Sequence, residues 1–172
     1  MDHLGAKDWL EREDAVCREG RQSRWEWLAG LMPQAECLAF PGGWVARYLF
    51  EESRYCFVYG QFMATVVLGM AYIEHTLAGL FYAAGRSDLE RARISDLLAE
   101  AVAVGWLSQD EYEHLDGARA LRNPVVHFRR PLYKDTVEYR SATENEMPYT
   151  LLEEDACHVM QAVLHVLALN AV

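Results

Sequence analysis

Apolar residues along this chain recur at helical spacing, and alternate like a strand only weakly and once. Asp8–Met32 reads as a first helix in which Trp9, Val16 and Trp27 are apolar positions among many charges; Gly20 weakens it and Pro33 stops it. Glu36–Gly43 is a connection, with Pro41-Gly42-Gly43 as its turn signal. A second helix is expected from Glu51 to about Ala84. Val66, Met70, Ile73, Leu77 and Leu80 keep the four-three spacing of one face, and its other faces are also largely apolar, so it should lie at the centre. Gly85 ends it. Ile94–Val104 is a short third helix closed by Gly105. Ser108 followed by Glu111 is a capping box, opening a fourth helix whose Tyr112, Leu115, Ala118 and Leu121 face the core and which runs to Pro131. Leu132–Pro148 is irregular; Tyr133, Val137 and Tyr139 alternate there, which allows a short strand or an extended lid. Thr150 with Glu153 is a second capping box before a last helix to Leu169, with Cys157, Met160, Leu164 and Leu167 as its stripe. The pattern predicts an all-α bundle of about five helices around one long central helix.

Length and composition agree with that picture. At 172 residues, 52% of them hydrophobic, the chain suits one domain over 1–172 with a sizeable core. The start, Met1 to Asp8, has no basic segment followed by an apolar run, so no secretory signal is expected. The longest apolar stretch, Phe62–Ala84, is interrupted near its middle by Glu74 and His75, where a bilayer would penalise charge most. It is read as a buried core helix with no membrane role. Cys17, Cys37, Cys56 and Cys157 form no CxxC pair, which favours free thiols in a reducing cytoplasm over a zinc or redox motif.

Charge changes the picture at one place. A net charge of −10 argues against a general nucleic-acid binder. Yet Arg119, Arg122, Arg129, Arg130 and Lys134 cluster with no acid between Ala118 and Lys134. Acids gather elsewhere, at 8–19, 110–116 and 144–155. The local basic site surrounds Arg122-Asn123-Pro124-Val125-Val126-His127. The plain alternative is a solvated helix end whose cations complement the dipole.

Arg122 and His127 are a permanent cation and a group that titrates near neutrality. Together they suffice to cleave RNA without a metal. In such a reaction the 2′-hydroxyl attacks the adjacent phosphate, His127 moves the protons and Arg122 stabilises charge on the non-bridging oxygens. The products are a 2′,3′-cyclic phosphate and a 5′-hydroxyl, and DNA, lacking the nucleophile, is inert. In an unbroken helix positions five apart diverge by about 140°, so one chain could not grip one phosphate with both. Two solutions are open: a kink at Pro124, or a twofold axis that sets Arg122 of one chain against His127 of another. Asn123, four residues before His127, can share its face and set its tautomer. Glu74 needs a partner in an apolar helix, and Arg122 or His127 would serve; a salt bridge elsewhere or a partly wet face is the alternative. Arg119, Arg129 and Arg130 are candidates for RNA phosphates, and equally for simple solvated cations. Tyr133 and Tyr139 are read as core or lid residues before base-stacking ones. His158 and His165 lie seven apart on the last helix, a poor metal spacing, so no metal and no cofactor are expected. His75 is read as a core or interface histidine, and His114 as a surface one.

The Arg-Asn-Pro-x-x-His form resembles the Arg-x4–6-His signature of the HEPN superfamily, small all-helical domains. Glu51-Glu52-Ser53-Arg54-Tyr55-Cys56-Phe57-Val58-Tyr59-Gly60 and Ala71-Tyr72-Ile73-Glu74-His75 look like the second helix of several prokaryotic HEPN families. The resemblance covers roughly Glu51–Leu169, which makes 51–172 the core bundle and 1–50 a helical extension. It implies a homodimer with a composite site of two arginines and two histidines, and a metal-independent cytoplasmic endoribonuclease of toxin or phage-defence type. It also implies RNA as substrate and, as a possible regulator, an antitoxin of the small nucleotidyltransferase kind. A non-catalytic HEPN module that dimerises and binds RNA, nucleotide or a partner protein is the second reading, and a purely structural helical domain the third.

Overall fold

A computed structural model describes residues 5–171; Met1–Leu4, which begin the segment read for a secretory signal, lie outside it. Among the described residues there are seven α-helices: α1 (Ala6–Leu31), α2 (Gly43–Val58), α3 (Phe62–Ala83), α4 (Ile94–Ala103), α5 (Gln109–Val126), α6 (Val137–Glu144) and α7 (Pro148–Leu169). A 3-10 turn, Ser87–Leu89, precedes α4. The only β-type pairing among them is an isolated antiparallel bridge between Leu38 and Ala171. The all-α expectation therefore holds, with two more helices than the pattern gave.

The first extra helix comes from a break in the long apolar stretch. The expected helix over 51–84 is two helices, divided at Tyr59-Gly60-Gln61. Gly60 adopts φ +74°. Its N–H donates to the Phe57 carbonyl, and the Gln61 N–H reaches back to Cys56. That is a Schellman ending with glycine in the left-handed position. The same bonds close α3 at Gly85 and α4 at Gly105. Apolar residues continue on both sides of Gly60, so periodicity runs straight through the stop. Because α2 begins at Gly43, the division at residue 50 falls inside a helix.

α3 forms the middle of the bundle, packed against α2, α5 and α7. Val66, Met70, Ile73 and Leu77 are buried on the predicted face, with Tyr72 and Phe81 beside them. From α7 they meet Val159, Met160, Val163 and Leu167. The approach is close: a Cβ at Gly69 would fall 2.8 Å from Val159 Cγ1. Among the described residues α3 alone is long and apolar enough to cross a membrane, and half of its apolar window is buried inside the bundle. α1 attaches at one end only. Leu28 is buried and Trp27 packs 5.2 Å from the Phe57 ring, but Trp9 and Val16 are exposed and join no core.

α5 starts as its sequence predicts. Ser108 Oγ accepts from the Glu111 N–H, and the Ser108 N–H donates to the Glu111 carboxylate. Leu115 and Ala118 are fully buried. The helix continues through Pro124 to Val126 and ends there, well before Pro131. His127 is extended, with φ −119° and ψ 122°.

The segment read as a strand or lid contains α6 instead. Thr136 caps it, its hydroxyl accepting from the Tyr139 N–H, and Asn145 closes it in the left-handed region. A capping threonine and a left-handed asparagine are local signals that three weakly alternating residues outweighed. The second capping box does not form either. Pro148 starts α7 two residues early, so Thr150 is already helical, and Glu153 Oε1 accepts from Arg24 Nη1 at 3.1 Å.

Candidate functional site

The last turn of α5 borders a cleft of about 900 Å³. It opens between α5, the 127–136 segment, α6 and the start of α7. Leu121, Pro124, Val125, Val137 and Leu152 make an apolar wall. His127, Asn123, Arg129 and Lys134 add polar groups. Asn123 and His127 both border the cleft, although His127 is extended and lies beyond the last helical residue. Their link among the described residues is through the backbone, His127 N–H to the Asn123 carbonyl at 3.0 Å. The amide does not hold the imidazole.

Arg122 lies off that wall. The helix continues through Pro124, and Arg122 does not border the cleft that His127 lines. The Arg122 guanidinium is half-buried; its Nε is enclosed and has no hydrogen-bond acceptor. Every other half-buried arginine among the described residues has a partner. Arg21, Arg24, Arg86, Arg119 and Arg140 pair with carboxylates, and Arg54 lies over the Trp25 and Phe50 rings. In a chain with a surplus of acids, a half-buried arginine whose enclosed Nε has no acceptor stands out.

Two expected site residues do not make the contacts expected of them. Glu74 forms no ion pair with Arg122 or His127; it is half-buried beside exposed His75, on the partly wet side of α3. Arg119 is held by Asp116 one turn back, Nε to Oδ1 at 2.6 Å, so it is not a free cation. The sequence reading counted acids only after Ala118, and helix geometry reaches the acid just before it. Arg129 and Arg130 are exposed and unpaired among the described residues, with Arg129 on the cleft and Arg130 off it. Tyr133 lines the cleft and Tyr139 does not.

Sequence reasoning missed Arg140 and Asp155, which also line the cleft. Both Asp155 oxygens accept from Arg140 Nη1, at 2.7 and 2.8 Å. Arg140 Nε lies 3.6 Å from Glu144, and Nη2 has no acceptor within hydrogen-bond distance among the described residues. Burial pushes the Asp155 carboxyl up, and Arg140 opposes that shift. The signal was present: Leu151, Asp155, Val159 and Ala162 share one buried face, so an acid stands in an apolar stripe.

The remaining histidines gather at the far end of α5. The rings of His114 and His158 lie 4.7 Å apart, tilted by 37°, and His158 Nε2 is 3.2 Å from the His114 carbonyl. Gly117 leaves room for that ring. His165 Nε2 is 3.0 Å from Glu111 Oε1 but out of line for a hydrogen bond, so the contact is ionic when the ring is protonated. Burial, then His158 and His165, hold the His114 pKa below its ordinary value. His114 is half-buried at a helix interface, not on the surface as its sequence context suggested.

No family model, curated protein or solved structure matches this chain. The resemblance to HEPN domains therefore rests on the quoted residues alone.

Proposed function

We propose that this protein is a metal-independent endoribonuclease of HEPN type that acts as a homodimer with a composite site. The observation that carries this reading is the split of the motif over two faces of α5. His127 and Asn123 border an open cleft, while Arg122 sits half-buried off that cleft with an unmatched guanidinium. A half-buried cation without a carboxylate is free to meet an anion, and a twofold axis beside α5 sets Arg122 of one chain and His127 of the other about one substrate phosphate. Arg122 of one protomer then faces the phosphate that His127 of its partner serves.

The chemistry follows from those two groups. His127 takes the proton of a ribose 2′-hydroxyl as the oxygen attacks the adjacent phosphorus. The bond to the 5′-oxygen breaks, and that oxygen takes a proton from the symmetry-related imidazole. Arg122 neutralises charge growing on the non-bridging oxygens. Exposed Arg129 and Arg130 meet flanking phosphates. By resemblance, the protein works in the cytoplasm as a toxin or an effector against phage, with an antitoxin of the nucleotidyltransferase kind as a possible regulator.

The test is incubation with mixed RNA in EDTA beside His127→Ala, reading fragment ends. Cleavage to cyclic phosphates by the parent and not by the variant is expected. Equal cleavage by both would remove His127 from the mechanism. A second reading, a dimeric module that binds RNA, nucleotide or protein without turnover, draws support from the net charge of −10. It predicts RNA retained intact by both proteins.

A further inference from the structure

We propose that the cleft between α5 and α6 is a subsite for one nucleotide of a single-stranded RNA, the base on the apolar wall and one phosphate at Arg140 and Lys134. The choice of RNA over other phosphorylated ligands rests on the endoribonuclease reading; the cleft and its charges do not depend on it.

Three features fit a nucleotide. The first is size and surface. At about 900 Å³ the cleft is of ligand-pocket scale, and Leu121, Pro124, Val137 and Leu152 offer a flat apolar wall. Phe128 and Tyr133 border the same space, and Phe128 is 87% exposed. An exposed aromatic at the mouth of an apolar cleft has a face free to stack on a base. The second is Arg140. Asp155, itself 6% exposed, grips a single nitrogen and fixes the fork, and Nη2 stays unmatched. A guanidinium held by a buried carboxylate is preorganised for an anion and loses little entropy on binding it. The third is charge balance. Arg129, Lys134 and Arg140 are opposed on the wall by Asp135, Glu138 and Asp155. That balance suits the single charge of a phosphodiester and disfavours a polyphosphate, while the carboxylates can accept from base N–H groups.

The experiment is a titration of the full chain with the four nucleoside 5′-monophosphates, the matching triphosphates and inorganic phosphate, read by NMR shifts and calorimetry. At least one monophosphate should bind, at least as tightly as its triphosphate and about tenfold tighter than inorganic phosphate. Ala120 is exposed and borders the cleft, so Ala120→Trp should obstruct it and weaken the nucleotide by about tenfold at an unchanged melting temperature. Lys134→Gln, also exposed, should weaken monophosphates more than nucleosides. The proposal is overturned if no monophosphate binds, if inorganic phosphate binds equally well, or if Ala120→Trp leaves affinity unaltered. Binding needs no turnover, so the two readings separate. Nucleotide bound in the cleft with no RNA cut leaves the subsite and removes the endoribonuclease. RNA cut with no nucleotide bound removes the subsite alone.

Discussion

The two ends of α5 answer the same physical demands in opposite ways. At its start, the polar groups find partners within the chain. Ser108 and Glu111 satisfy each other, Glu111 sits against His165, and His158 covers the His114 carbonyl. At its end, Arg122 keeps an enclosed Nε without an acceptor, His127 and Phe128 are exposed, and Arg129 and Arg130 have no acid among the described residues. No acid stands between Ala118 and Lys134 to pair with them. One end of the helix has its charges paired within the chain, and the other leaves its cations without acids among the described residues.

The comparison breaks most visibly in activity. Arg122→Ala and His127→Ala should each lower RNA cleavage by about 10²–10⁴-fold with the melting temperature nearly unchanged, measured by fragment release beside thermal denaturation. Large stability losses at both positions would assign them to the fold instead. The next effect belongs to the buried middle. Leu115→Ala should destabilise by about 2–5 kcal/mol in urea unfolding, because Leu115 is fully buried. A loss below about 1 kcal/mol would mean that α5 packs loosely along its whole length. At the helix start, Ser108→Ala should destabilise by about 1 kcal/mol, since the hydroxyl that accepts from the Glu111 N–H and donates to the Glu111 carboxylate is lost while the Ser108 N–H bond remains.

The smallest effect sharpens the same contrast by pH. His114 has a lowered pKa in the folded chain, so the unfolded chain binds more protons between that value and the ordinary 6.5. Its contribution to stability is full above about 6.5 and is lost as pH falls through the window below it. His158, His165 and Glu111 are the titratable groups around it. Denaturant midpoints from pH 7.5 to 5 should fall for the parent chain and fall less for His114→Gln. An equal slope in both would move the titration to another group.

Some of this was legible in local sequence. The capping box at Ser108, the stops at Gly85 and Gly105, and the central face of Val66, Met70, Ile73 and Leu77 depend on neighbours within a turn or two. The break at Gly60 was present as a glycine but hidden by apolar residues on both sides. Thr136 and Asn145 bracketed α6, yet a short helix of low apolar content has no periodicity to announce it.

By itself the sequence determined an all-helical chain with an apolar core segment in the middle, and an arginine and a histidine five apart amid local cations. Backbone hydrogen bonding and side-chain period are local physics, and a chain states them residue by residue. Only the tertiary structure decided that Arg119 is spoken for by Asp116, that Glu74 forms no ion pair with the motif, and that Glu153 answers Arg24 rather than Thr150. Only it joined Arg140 to Asp155 in the cleft that His127 borders and left the Arg122 Nε enclosed without an acceptor. Those outcomes depend on which helices meet and at what depth, and on whether burial leaves a charge a partner, which the spacing of residues along one helix does not encode.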